Sequence, residues 1–317
     1  MVNLTSKGII HGMNYCGKLL NTGIMIAGIA AMLLAGCQSA TEMTSTSPPP
    51  SPDATPTATA TPTEIPQPQA ALVNGVGIPL AFFESEVGRY IWALNDMEQE
   101  LMDEEVIRET VLNDLIDQTL LAQSAYAGGF EMTDALLDER IAALAGQMGG
   151  QQALDNWLVM QGYTQADFEQ SLQLSIAASW QRDVIIKAVP DALEQVHARQ
   201  VFAYTEAGAN RALTSLNSGT DFDKVAWEFS PETGGELGWF PRGYLTVPAV
   251  EDAAFSLPVG QYSQIIKSEL GYHIVMVIER ADQRPLTNDA RQALQRRALS
   301  DWITTARGQA QIEVLVP

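Results

Sequence analysis

Apolar positions recur along this chain in three rhythms, and each predicts a different kind of element. The first has helical spacing. Phe83, Val87, Tyr90, Ile91 and Leu94 share one face. Ile107, Val111 and Leu115 run beside Leu112, Ile116 and Leu120 until Gly128-Gly129 breaks the pattern. Leu137, Ile141, Leu144 and Met148 form a further stripe. Thr164 with Asp167 reads as a capping box, with Asp in place of Glu, opening a helix that carries Phe168, Leu172, Ile176 and Trp180 and closes by Pro190. A last helical face holds Leu294, Ala298, Trp302 and Ala306. The second rhythm has period two. Residues 72–79 predict a short strand and turn, and Ile312, Val314 and Val316 alternate as a strand does. Neither strand can satisfy its edges alone, so the two are expected to pair. The third rhythm is an unbroken apolar stretch from Ile24 to Leu34.

Between the helical region and the last helix lies the most informative part of the chain. Gly234-Gly235 leads into Glu236-Leu237-Gly238-Trp239-Phe240, then Arg242-Gly243, then Val250-Glu251-Asp252-Ala253-Ala254-Phe255, and finally Gly271-Tyr272-His273-Ile274. This ordered set, spanning Val196 to Arg280, resembles the parvulin family of peptidyl-prolyl cis-trans isomerases. The resemblance implies a four-stranded antiparallel sheet surrounded by helices, with topology βα₃βαββ. The N-terminal Val-Asn-Gly strand and its helices resemble the chaperone module of SurA-type and PrsA-type foldases. In those foldases the end of the chain returns to the N-terminal module. The expected fold is therefore α+β: a parvulin domain at 191–284, attached to or inserted in an all-helical SurA-like domain at 71–190, with 285–317 packing on the latter as helix and strand.

The resemblance also implies site residues. Peptide-bond rotation is opposed by about 18–20 kcal/mol and needs neither nucleophile, metal nor cofactor; it needs an apolar grip on the proline ring and a dry, hydrogen-bonding environment for the amide. The family's proline pocket maps onto Leu237, Leu245 and Val250, with Phe240 and Phe255 beside them as further substrate-binding positions. The family's first-strand histidine is replaced by Gln200, which can hold a hydrogen bond but cannot become a cation. Its second histidine maps onto His273, its frequent Ser/Thr position onto Ser268, and its carbonyl-facing acid or thiol onto Glu232 in a loop shorter than usual. His197 lies on the strand face opposite Gln200 and is expected at the surface. The stretch Tyr204–Ala209 has no base, which argues against phosphate specificity.

Composition narrows the setting. The chain has 317 residues, 46% of them apolar, and a formal charge of -20, a field that repels nucleic acid. Lys7, Lys18 and the Ile24–Leu34 stretch precede Leu34-Ala35-Gly36-Cys37, which looks like a bacterial lipobox, so 1–36 is expected to be a signal peptide and Cys37 the lipidation site. Cys16 is the only other cysteine, so the mature domain would hold no disulfide, CxxC or thiolate metal site. Residues 37–70 are Ser, Thr, Pro and Ala-rich, with half of the chain's 16 prolines, and are expected to be a disordered linker. Together these features predict a lipid-anchored extracytoplasmic foldase without cofactors. Its partners would be unfolded or nascent secreted or envelope proteins with Xaa-Pro bonds, and the membrane through its anchor. The alternative is a non-catalytic chaperone using the same domain to bind extended segments.

Overall fold

A computed structural model describes residues 67–97 and 102–316. The expectations for Cys37, for residues 1–36 and for most of the 37–70 segment lie outside the described residues. The chain forms two compact units: one runs to Trp180 and takes in the residues from Ala310 onward, and the other is Gln181–Gln309.

Among the described residues the first unit opens with a hairpin, β1 (Gln69–Val73) and β2 (Val76–Pro79), so the end of the segment expected to be linker is part of a strand. Asn74 and Gly75 form its turn, both at positive φ (53° and 80°), the conformation an Asn-Gly hairpin turn requires. The C-terminal strand β7 (Ile312–Val314) completes a three-stranded sheet in the order β2-β1-β7, with Val73 opposite Ile312. The pairing has a specific lock. Asn74 Oδ1 accepts from the Gln311 N–H (2.9 Å), its Nδ2 donates to Gln123 Oε1 (2.8 Å), and Gln123 donates back to the Val73 carbonyl (2.8 Å).

Helices α1 (Leu80–Asp96), α2 (Glu104–Ala127), α3 (Asp134–Met148), α4 (Gln151–Met160) and α5 (Gln165–Lys187) follow. Their starts are chemically marked: Asp103 caps α2, Thr133 caps α3, and the Thr164 hydroxyl accepts from Asp167 N–H (3.1 Å) to open α5. The stripe of α2 is buried throughout, including Ile107, Val111, Leu115, Ile116 and Leu120. Leu137, Leu154, Leu158, Phe168 and Leu172 bring α3, α4 and the start of α5 into one cluster.

In the second unit, β3 (Ala192–Ala203) is followed by α6 (Glu206–Asn217), α7 (Phe222–Phe229), β4 (Glu236–Pro241), α8 (Pro248–Ser256), β5 (Ile266–Lys267), β6 (Tyr272–Pro285) and α9 (Asn288–Gln309). The sheet is antiparallel in the order β4-β3-β6-β5. Two helices rather than three separate its first two strands, because the shortened segment 230–235 is taken up by a turn. One face packs on α6 and α7 through Val201, Ala212, Leu216, Phe222, Val225 and Ile274. The other packs on α8 through Val196, Ala198, Phe240, Val250, Ala254 and Val277.

Helix α9 corrects the expectation that 285–317 packs as a whole on the N-terminal domain: only the final strand joins the first unit, and the helix belongs to the second. Leu286 and Ala290 are buried at its start, Arg291 pairs with Asp191 (2.5 Å), and Gly243 lies so close that a Cβ there would sit 3.1 Å from Leu294.

Candidate functional site

The sheet register determines which residues can meet. Phe202 pairs with His273, Gln200 with Val275, and Ile266 with His273 across the other edge. Paired residues of an antiparallel sheet project to the same side. Gln200, His273 and Ile266 therefore share the face on which Val275 packs with the α8 cluster. The close approach of the glycine turn seats Gln200: its N–H donates to the Gly235 carbonyl (2.8 Å), and a Cβ on Gly235 would fall 1.8 Å from the Gln200 carbonyl oxygen.

His273 is 3% exposed and lies at the centre of a hydrogen-bonded chain. Its Nδ1 meets Gln200 Oε1 at 2.8 Å, and its Nε2 meets Ser268 Oγ at 2.8 Å. An amide oxygen can only accept, so the ring carries its proton on Nδ1 and Nε2 accepts from the Ser268 hydroxyl. The chain is thus complete with a neutral imidazole. Burial holds the His273 pKa below its ordinary value, in agreement with that assignment. Phe202 packs against the ring (5.0 Å between centroids). The chain would then lose its acceptor on protonation. We expect kcat/KM for an Xaa-Pro peptide to be flat through neutral and mildly alkaline pH, with any loss from this ring appearing only below about 6.5, the ordinary histidine value. The stability sign agrees: a histidine with a depressed folded pKa leaves the unfolded state binding more protons, so stability rises with pH and falls as pH drops below about 6.5. A pH–rate profile and a pH series of melts check both. Ser268→Ala removes the hydroxyl that meets His273 Nε2 (2.8 Å) and the Gly271 carbonyl (3.4 Å) and accepts from the Leu270 N–H (3.1 Å), expected to cost about 1–2 kcal/mol of stability and a few-fold in turnover, with KM unchanged.

The apolar half of the site differs from the sequence reading. Phe240, Val250 and Phe255 are sealed, at 0%, 2% and 5% exposure, so none lines an open pocket. The reason is that α8 lays its apolar side on the sheet, where Phe240 and Phe255 meet edge to face (6.1 Å). Leu237 and Leu245 are only partly buried and pack against this same cluster, forming a half-open apolar shelf. Tyr244, Val247 and Ile266 join them, three residues that the sequence reading did not single out. Glu232 lies exposed in the turn after α7 and forms no hydrogen bond with the Gln200–His273–Ser268 chain.

Two carboxylates missed in the sequence shape this shelf. Glu251, 6% exposed, accepts from the backbone N–H groups of Gly243 (2.7 Å), Tyr244 (3.0 Å) and Leu245 (3.0 Å). It therefore fixes the loop that presents Leu245. Glu236, just before Leu237, accepts from the Gly238 N–H (2.9 Å), His197 Nε2 (2.6 Å) and Arg199 Nη2 (3.1 Å) at the register shift between Ala198 and Arg199. Burial pushes the Glu236 carboxyl up, but those three partners outweigh it and hold it below the usual carboxylate value. His197 is accordingly no free surface residue: its side chain is 22% exposed and its ring stacks on Trp239 (5.4 Å). The acid of a helix-like Glu-Asp pair and the acid of a Gly-Glu-Leu-Gly turn were the available signals.

The arrangement places a neutral, buried hydrogen-bond chain beside half-exposed apolar side chains on one sheet face, with no nucleophile in the chain other than a hydroxyl that is already donating. Among the described residues no group of three or more His, Cys, Asp or Glu could hold a metal ion. Such a site can grip a ring and polarise an amide without making or breaking a covalent bond.

Known proteins agree with both units. Residues 190–279 match the model of the PPIC-type PPIASE domain, and residues 51–181 match the SurA-like N-terminal domain. The foldase protein PrsA of Geobacillus sp. (strain WCH70) is 27% identical over 223 residues, covering 66% of this chain and 77% of the relative. The chaperone SurA of Nitrosospira multiformis is 33% identical over 142 residues, covering 38% of this chain and 32% of its own. Among solved structures, the peptidylprolyl isomerase PrsA of Bacillus anthracis aligns with a TM-score of 0.42 at 21% identity, over 62% of this chain and 92% of that one.

Proposed function

Because the chain carries a PPIC-type peptidyl-prolyl cis-trans isomerase domain beside a SurA-like N-terminal domain, we propose that it is an extracytoplasmic, lipid-anchored foldase that isomerises Xaa-Pro bonds in unfolded secreted or envelope proteins. One observation carries the catalytic part: the Gln200–His273–Ser268 chain shares a sheet face with the half-open Leu237, Leu245 and Ile266. In this reading the proline ring rests on the two leucines. The substrate amide lies toward Gln200 and His273, and dry surroundings favour the twisted bond, whose carbonyl and nitrogen are less conjugated than in the planar state. Ser268 and Gln200 act through His273 by fixing its tautomer.

The anchor and the compartment rest on Leu34-Ala35-Gly36-Cys37. Among the described residues no helix is long and apolar enough to cross a membrane. A protease-coupled assay with short Xaa-Pro peptides tests turnover, and Cys37→Ser tests the anchor. Release of the variant from membranes to the soluble fraction supports lipidation, and unchanged partition contradicts it.

A second reading has its own support. Gln200 cannot take a charge, and Val250 is sealed where the family has a pocket phenylalanine, so the domain could bind proline segments without accelerating their isomerisation. Suppressed aggregation of an unfolded client without peptide turnover favours that reading.

A further inference from the structure

Leu245 has two sides. One packs on the α8 cluster, and the other lines a hollow of about 420 Å³ between residues 244–246 and helix α9. The hollow is a groove open to solvent rather than an enclosed pocket. Asp289, Ala293 and Arg296 reach it from α9, at positions spaced to share one helix face. Both walls are held. Glu251 braces the loop through three N–H bonds, and Gly243 is flush against α9, where a Cβ would approach Leu294 at 3.1 Å and Arg297 at 3.3 Å. Asp289 and Arg296 are exposed, and neither forms an ion pair or side-chain hydrogen bond among the described residues. A fixed hollow with an apolar floor and one unpaired charge of each sign suits a polypeptide, whose amides and mixed side chains need both kinds of contact.

We propose that this hollow is a second client subsite, taking up residues that flank the isomerised bond once the proline ring rests on Leu245. It rests on the isomerase reading above and extends it: the unit would recognise a segment of extended chain rather than an isolated Xaa-Pro pair. The continuity of the two sites through one side chain, Leu245, selects this occupant over a free small molecule. Binding energy gathered there, away from the reacting bond, can be used to hold the amide in place, so longer peptides gain turnover as well as affinity.

The test compares a short Xaa-Pro tetrapeptide with a peptide of about twelve residues around the same bond; at about 3.3 Å per residue, extended chain leaves the shelf within a few residues. On the whole chain we expect kcat/KM for the long peptide to exceed that for the short one by about fivefold or more. Ala293→Trp, which fills the hollow, should return the long peptide to the short-peptide value and leave the short peptide unchanged. Arg296→Glu makes both charges acidic and should raise the preference for Lys-bearing over Glu-bearing extensions by about fivefold, within the range of exposed charge pairs. Equal rates for both lengths on the parent chain overturn the proposal, as does a length advantage and charge preference unchanged by both substitutions. If no peptide is turned over, the isomerase reading fails separately. Fluorescence anisotropy of the long peptide then decides the subsite: weaker binding to the Ala293→Trp chain sustains it, and equal binding overturns it.

Discussion

Leu245→Asp is expected to lower kcat/KM for an Xaa-Pro peptide by at least about 100-fold while the fold survives. Leu245 is partly exposed and packs against a core of buried residues, among them Phe240, Val250 and Phe255. A carboxylate there can turn to water in the free protein, so the stability loss stays near 1 kcal/mol, the centre of most single substitutions. With a proline ring on the shelf, the same carboxylate must lose water without gaining a partner. Charge burial of that kind costs several kcal/mol, and about 2.7 kcal/mol already amounts to 100-fold. A protease-coupled rate and a melt of the same preparation measure both quantities. Turnover equal to the parent's would place the ring elsewhere.

Glu251→Ala has the largest expected effect on stability. The carboxylate is buried and satisfies three backbone N–H groups, all in the loop 243–245. Charge-assisted bonds are about twice as strong as neutral ones, and a buried donor left unpaired costs about 1–3 kcal/mol. Water entering the vacated space recovers part of this, so a net loss of about 3–4 kcal/mol is expected, in the tail reserved for broken buried networks. Glu251→Gln keeps one oxygen as acceptor and should fall between the parent and the alanine variant. Amide hydrogen exchange at Val196, Val275 and Val277 reads the loss in the sheet beneath α8. Because the same loop carries Leu245, KM should rise in parallel with the loss of protection. Protection equal to the parent's in the alanine variant would contradict this account of the loop.

How much of this was legible depended on the range of the interaction involved. Local signals were faithful. The helical stripe from Ile107 to Leu120 is buried, Thr164 does open a helix, and the Asn74-Gly75 turn sits where the Val-Asn-Gly motif lies. Gln200, Ser268 and His273 come together because strand order and alternation, both implied by the motif sequence, bring them to one face. Burial was less legible, because whether an apolar side chain is sealed depends on what covers it. Phe240, Val250 and Phe255 have the same apolar character in sequence as Leu237 and Leu245, and only the placement of α8 distinguishes them. Glu251 entered only as part of the Val250–Phe255 motif, since its three donors are backbone groups that carry no sequence signature. Helix α9 was assigned with the final strand because the end of the chain returns to the N-terminal module in the foldases that the sequence resembles, whereas contacts with Gly243 and Asp191 place it in the second unit. Glu232 was assigned as the acid two residues after Ser230, and the shortened segment from there to Gly234-Gly235 leaves it exposed in a turn.

On the proposed reading, the shelf formed by Leu237, Leu245 and Ile266, with the neutral His273 chain beside it, holds a proline ring and lowers the barrier to rotation of its amide. Exchange NMR on an isotope-labelled Xaa-Pro peptide with a catalytic amount of the whole chain reports that rotation directly, without a coupling protease. Cis–trans exchange cross-peaks whose rate grows linearly with protein concentration are expected, as is their disappearance in Leu245→Asp. Peptide-induced shifts at Leu237, Leu245 and Ile266 without any exchange above the spontaneous rate, which takes tens to hundreds of seconds, would contradict it and leave a binding module in its place.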